Sequence, residues 1–431
     1  MTGRWTWRAS LLAAMAVATP ALAADPVELT QAIKALDAGN VSAGLPVVQR
    51  YALAGNNTAE NELGWVYETG HGVPLDYTEA AKWYRLSALN GGASDQNNLG
   101  RLYESGLGVP RSYAEAEKWF GLSALQGFAM GQYDLAFLHD RGLGTVPPFA
   151  QTVALYKQAA DQGLAIAQYQ YALCVQNGHV TGAGDAVALD YLARAANRGY
   201  PPALDALGRF HERGRGLPRN YLLAFELYHR AAEAGDGNGM THLAALYEQG
   251  QGVPRNYPEA LRWYRRAVDR NIPQAAYRLG LIAAQGLADG IRNDGEAVKW
   301  IRMAADAGNL AEAQNYLGFL YDQGRGVTAD PVEAVRWFRR AAAQSFAIAM
   351  ANLARAYQLG RGVPADPAEA HRWQSLAGSH GYHPPAAAAA TGPEAPASPV
   401  ADLLSDQAAP GTNASVCFGT QPGATHIAGC R

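Results

Sequence analysis

The amino-acid sequence predicts an all-α chain: an α/α superhelical solenoid of about nine 36-residue helix-turn-helix repeats, followed by a disordered C-terminal tail. Three observations predict it. A leucine recurs at Leu63, Leu99, Leu135, Leu173, Leu207, Leu243, Leu279, Leu317 and Leu353, in steps of 36, 36, 38, 34, 36, 36, 38 and 36 residues. Glycine is in excess, at 47 of 431 residues, where ordinary usage is ~7%, and the excess is periodic. Capping boxes followed by tryptophan recur between the leucines. Self-similarity at such a period marks stacked supersecondary units, because one helix pair cannot bury its apolar face alone.

The elements follow in chain order. Arg4 and Arg8, the apolar stretch Leu11 to Ala18 and the small-residue motif Ala21-Leu22-Ala23 read as a secretory signal over residues 1–23, cleaved after Ala23. This implies a periplasmic or secreted protein. The apolar stretch is too short to span a bilayer, so no membrane insertion of the mature chain is expected. Residues 24–62 read as a degenerate N-terminal capping repeat, with Val47 in the tryptophan slot; terminal repeats depart from the pattern because they cap the stack.

In the array over residues 63–382, a small residue follows each leucine (Gly64, Gly100, Ala136, Cys174, Gly208, Ala244, Gly280, Gly318, Ala354) and lets a neighbouring helix approach. Four residues past the leucine stands a ring in most units, on the same helix face: Tyr67, Tyr103, His139, His211, Tyr247, Tyr321, Tyr357. Paired glycines such as Gly70/Gly72 and Gly250/Gly252 then close the first helix, since glycine accepts the positive φ of a C-terminal cap. The second helix opens on Asp76…Glu79, Ser112…Glu115, Asn256…Glu259, Asp330…Glu333 and Asp366…Glu369, each a cap residue three before a glutamate. It carries Trp83, Trp119, Trp263, Trp300, Trp337 and Trp373, with Leu155, Tyr191 and Leu227 in that slot elsewhere.

The pattern Leu-Gly-x-x-Tyr-x-x-Gly-x-Gly-Val-Pro, followed by Glu-Ala-x-x-Trp-Tyr-x-x-Ala-Ala, is best seen at Leu63–Ala88 and Leu243–Ala267. It resembles the Sel1-like repeat, a relative of the tetratricopeptide repeat. The resemblance implies an α-solenoid whose motif residues are structural and whose members mostly act as scaffolds and adaptors, some of them secreted factors or periplasmic regulators. Val180 in place of the first turn glycine of the Leu173 unit, and Ala283 for the ring and Ala288 for the second glycine of the Leu279 unit, depart from the pattern, so those two units are expected to be distorted. Residues 383–415 are Ala/Pro-rich and read as a disordered linker, before a two-cysteine segment, 416–431.

No catalytic signature is present: no H-E-x-x-H, G-x-S-x-G, Walker loop or paired C-x-x-C. The repeated G-x-G turns follow no strand, so they read as helix caps rather than phosphate loops. His139 and His211 read as ring-slot packing, not metal ligands, and Cys174 as a buried, inert stand-in for alanine. Cys417 and Cys430 can close a small disulfide loop in an oxidising compartment or remain two thiols. No cofactor and no metal are expected. Thirty-five Lys+Arg against 38 Asp+Glu leaves a net charge of −3, which lacks the basic stripe that nucleic acid requires.

The functional signal is geometric. The residue two past each leucine lies about 200° around the helix from it; these include Trp65, Arg101, Phe137, Arg209, Leu281, Phe319 and Arg355. Two before the leucine stand, among others, Tyr133, Tyr171 and Tyr277. Aromatic, aliphatic and arginine side chains dominate binding hot spots. These rows either line an inner groove or bury against the next repeat's first helix. The leading expectation is an exported, non-enzymatic adaptor that takes a protein or peptide partner in its concave groove. The alternatives are a cell-envelope enzyme, a β-lactam or peptidoglycan-related hydrolase as implied by cysteine-rich relatives, and a cell-wall glycan binder.

Overall fold

A computed structural model describes residues 26–382. The expected signal segment, the linker, and Cys417 and Cys430 with the disulfide loop expected of them lie outside the described residues. Those described are helical and connected by short turns, with no strand among them. They form two compact units, one running to Arg194 and the other from Ala195.

The first unit opens with α1 (Pro26–Asp37) and α2 (Val41–Leu53). Helix pairs follow: α3 (Asn57–Thr69) with α4 (Tyr77–Leu89), α5 (Ala93–Ser105) with α6 (Tyr113–Leu125), and α7 (Ala129–Asp140) with α8 (Phe149–Asp161). Next come α9 (Ala165–Gln176) and α10 (Asp185–Asn197), within which the division between units falls. The second unit continues with α11 (Pro201–Arg213), α12 (Tyr221–Glu233), α13 (Gly237–Gln249), α14 (Tyr257–Val268), α15 (Pro273–Gln285) and α16 (Asp294–Asp306). It ends with α17 (Ala311–Gln323), α18 (Pro331–Ala342), α19 (Ala347–Leu359) and α20 (Pro367–Ser379).

Local chemistry sets the helix ends. Asp76 Oδ1 accepts from the Thr78 and Glu79 N–H groups at 2.9 and 3.1 Å, and Ser112 Oγ from Glu115 N–H at 3.3 Å, satisfying donors that a helix start leaves unpaired. The small residue after the leucine has a steric cause. A Cβ on Gly64 would lie 2.4 Å from the Tyr84 ring, and one on Gly100 2.6 Å from that of Phe120. Glycine there lets the second helix's ring lie on the first helix's backbone. The second turn glycine keys one repeat to the one before it. Gly108, at φ +67°, sits where a Cβ would be 2.1 Å from the Tyr77 backbone at the start of α4.

Neighbouring repeats also share uncharged hydrogen bonds. Gln126 Nε2 donates to Gln96 at 2.7 Å and Gln162 to Gln132 at 2.8 Å in the first unit. Gln344 donates to Gln314 at 2.8 Å, and Asn352 to Asn315 at 2.9 Å, in the second.

The structure corrects the register of the fourth repeat. First helices begin at 57, 93, 129, 165, 201, 237 and 273, in steps of 36. The residue six past the start of α9 is therefore Tyr171, not Leu173. Tyr171 fills the leucine position at 4% exposure and Ala172 the small-residue slot, fully buried. Cys174 then occupies the slot of Val66, Leu102 and Leu138 rather than that of alanine. Cys174 is fully buried and disulfide-bonded, so it is not the inert thiol the sequence suggested. The longer step to Leu317 is real. One residue is added in the turn before α16 and one in the turn before α17, which begins at Ala311. The same shift corrects the reading of Val180: Gly178, at φ +76°, keeps the first turn glycine of the fourth repeat, and Val180 replaces the second.

Candidate binding surface on the first helices

Trp65, Arg101 and Phe137 stand at one register position on the successive first helices α3, α5 and α7 of the first unit, each half-buried. The Trp65 ring lies 5.2 Å from His71, whose Nε2 is 2.8 Å from the Leu36 carbonyl. Arg101 is 3.8 Å from Glu68, and Glu68 Oε2 accepts the Tyr84 hydroxyl at 2.6 Å. Phe137 stacks on Tyr133 at 5.9 Å, with the Arg141 guanidinium 5.5 Å from its centroid.

Carboxyls frame this row. Burial pushes Glu104 up against the pull of Arg141 and Arg101. Burial also pushes Asp134 up to about 7, although Asn97 Nδ2 donates to it at 2.7 Å and Arg101 draws it down. The row is thus two rings on either side of a guanidinium, set among partly desolvated acids.

Four of the ten sequence candidates are packing residues. Tyr133 is 7% exposed, Tyr171 4%, Tyr277 2% and Leu281 3%. Tyr133 rests on Tyr156 at 5.8 Å, Tyr171 meets Tyr191 edge-on at 4.7 Å, and Tyr277 meets Tyr316 at 6.5 Å. The position two before the leucine faces the next repeat's first helix, which is the neighbour-contact alternative. There Asn97 bonds Asp134, Asp205 lies 2.5 Å from His242 Nδ1, and Asn315 bonds Asn352. In the second unit, Arg209 pairs with Asp205 at 3.5 Å, Phe319 stacks on Tyr316 at 5.7 Å, and Arg355 lines a small recess with Asp322 and Arg361.

A further position escaped the sequence reading. Glu68, Asp140, Glu212 and Glu248 each accept the hydroxyl of a tyrosine sixteen residues on: Tyr84, Tyr156, Tyr228 and Tyr264, at 2.6, 3.4, 2.6 and 2.8 Å. The signal was available, because an acid on the first helix accompanies each tyrosine that follows the tryptophan slot. Where that ring is Phe338, Asp322 pairs instead with Arg361 at 3.1 Å.

His139 lies 3.2 Å from Glu117, and burial holds His211 below its ordinary value. Among the described residues no group of three or more His, Cys, Asp or Glu is placed to hold a metal ion, and no helix is long and apolar enough to cross a membrane.

Comparison with known proteins agrees with this architecture. Sel1 repeat matches fall at residues 58–92, 93–128, 129–164, 165–200, 201–236, 238–272, 273–309, 311–346 and 347–382; the equal lengths around residue 165 agree with the register set by Tyr171. The chain is similar to a protective antigen of uropathogenic Escherichia coli, with 29% identity, TM-score 0.51, and coverage of 82% of this chain and 86% of that one. It is similar to a Sel1 repeat protein from Oxalobacter formigenes, with 29% identity, TM-score 0.52, and coverage of 73% and 91%. A stretch of 62 residues is 47% identical to chitin synthase regulatory factor 3 of Schizosaccharomyces pombe, spanning 14% of this chain and only 6% of that protein. Sel1 repeats generally mediate protein interactions. Nine consecutive matches spanning residues 58–382 place this chain in the Sel1 repeat family.

Proposed function

We propose that this protein is an exported, non-enzymatic adaptor that holds a protein or peptide partner along the first helices of its first unit, at Trp65, Arg101 and Phe137. The observation that carries the reading is their shared register: three consecutive repeats offer ring, guanidinium, ring, half-exposed on helices fixed by packing. Rigid aromatic and arginine side chains give contact energy at low entropic cost. The arginine and basic n-region of residues 1–23 support export, and the generally non-catalytic character of the family supports an adaptor over an enzyme.

The test is crosslinking in the native envelope from a photoreactive residue at position 65 or 137, followed by mass spectrometry and affinity measurement on the partner found. Alanine at all three positions should weaken that partner by at least about tenfold, roughly 1.4 kcal/mol; full retained affinity overturns the assignment. N-terminal sequencing of protein recovered from cells should begin at Ala24, and a retained Met1 would refute export.

A further inference from the structure

A second surface lies on the second helices of the first unit and is independent of the row just described. Leu53, Leu89 and Leu125 end α2, α4 and α6 at 73%, 68% and 85% exposure. Leu86 and Leu122, three residues earlier on α4 and α6, are also exposed. Leucine at these sites is not a demand of the repeat. In the second unit the same two positions are Arg230 and Glu233, Arg266 and Asp269, Met303 and Asp306, Arg340 and Ala343, and Leu376 and Ser379, and in the first unit α8 has Gln158 and Asp161 there and α10 Arg194 and Asn197. Charges there pair across repeats, Arg266 with Glu233 at 3.5 Å and Arg340 with Asp306 at 3.3 Å. The chain therefore supplies its own control: the same positions carry charged pairs in several repeats, and both are exposed leucine only on α4 and α6. Contiguous exposed apolar surface of this kind marks interaction sites.

Between α4 and α6 the strip opens into a cleft of about 650 Å³ lined by Leu89, Leu122, Trp119, Tyr103, Arg85 and Lys118, with Glu115 at its edge. Arg85 donates to the Tyr103 hydroxyl and lies 5.6 Å from that ring's centroid; among the described residues no carboxylate pairs with it. Lys118 sits 5.1 Å from the Trp119 ring and 3.5 Å from Glu115. The cleft mouth therefore holds two cations against one acid, beside exposed leucine.

We propose that this strip and cleft dock an acidic, amphipathic helix of a protein partner, its apolar face laid on Leu86, Leu89, Leu122 and Leu125 and its carboxylates set against Arg85 and Lys118. Helix-in-groove recognition uses apolar anchors at helical spacing, and the charge imbalance selects the sign of the flank.

The probe is a synthetic helix of roughly 18 residues with leucine at i, i+3, i+4 and i+7 and glutamate on its flanks, measured by fluorescence anisotropy on the mature chain. Its Glu→Lys counterpart is the control and should bind about tenfold or more weakly. Leu89→Asp combined with Leu122→Asp should abolish binding without moving the thermal melt, because both side chains are exposed. Arg85→Glu should remove the preference for the acidic peptide. Equal affinity of the two peptides, no binding of either, or binding indifferent to the leucine pair overturns the proposal. So does sedimentation showing a self-association of the chain that Leu125→Asp dissolves, which would assign the strip to a second copy.

Discussion

The buried triad joining the sixth and seventh repeats permits a sharp test. Arg278 on α15 and Glu248 on α13 are in contact, each with a side chain 4% exposed, and Tyr264 on α14 donates to Glu248 at 2.8 Å. Arg278 Nε and Nη1 have no hydrogen-bond partner, so its charge depends on Glu248. Glu248→Gln keeps the shape and an acceptor for Tyr264 but strands the guanidinium. Breaking a buried pair from one side costs about 3–5 kcal/mol, and we expect a loss of that size in urea unfolding followed by circular dichroism. Arg278→Met should cost less, because Glu248 keeps the Tyr264 hydroxyl. Replacing all three together, Glu248→Leu, Tyr264→Phe and Arg278→Met, should return most of the loss, since an apolar substitute for a buried ion pair is often neutral or better. The next repeat already holds an apolar version of the acid–tyrosine contact, with Ala284 and Ile301 at the equivalent positions, both buried. The reasoning fails if Glu248→Gln lies within about 1 kcal/mol of the parent, or if the triple change costs the sum of the single ones.

Gly64→Val should destabilise the first unit by about 1–3 kcal/mol through overpacking against Tyr84. Gly121→Ala, at a site in α6 with nothing within 4 Å, should stabilise it by up to about 1 kcal/mol, both read as shifts of the urea midpoint. Burial opposes the charge on His242, but the Asp205 carboxylate outweighs it and raises His242 above its ordinary 6.5. Burial likewise opposes Asp205, which His242, Arg209 and Arg213 hold below its ordinary 3.8. The His242 contribution is therefore complete below pH 6.5 and fades as pH rises through its raised value. That of Asp205 is present above 3.8 and fades as pH falls through its lowered value. His242→Gln should flatten the alkaline side of the stability–pH curve, and an unchanged slope would refute the pairing. Asp134, raised by burial to about 7, costs stability as pH climbs from 3.8 towards 7. Asp134→Asn should therefore gain stability at pH 8 and little at pH 4, checked by melting at both.

The repeat was legible because its signals are steric and recur. Gly64 and Gly100 must be small to admit Tyr84 and Phe120, and Asp76 and Ser112 must cap, so the letters return every 36 residues. Register failed only where chemistry substituted one core side chain for another: Tyr171 does the work of leucine, and following the leucine letter to Leu173 shifted one repeat by two residues. The helical angle put Trp65, Arg101 and Phe137 at one register position, where the structure has them half-buried. It did not reveal that the face two residues before the leucine is shared with the next first helix, because angular position within one helix says nothing of which neighbour covers it. Tyr133 and Tyr277 were over-read for that reason. The leucine strip was invisible for the opposite one: Leu89 and Leu125 read as ordinary apolar residues until their exposure is seen.

The glutamine and asparagine rungs between repeats carry a consequence for how the units respond to solvent. Gln126–Gln96, Gln162–Gln132, Gln344–Gln314 and Asn352–Asn315 are amide-to-amide contacts, and added electrolyte screens charges, not neutral dipoles in contact. The share of cohesion that these rungs carry should therefore hold across brine and fresh water alike. What ionic strength can loosen is the rim, where Arg266 and Glu233 or Arg340 and Asp306 face the solvent.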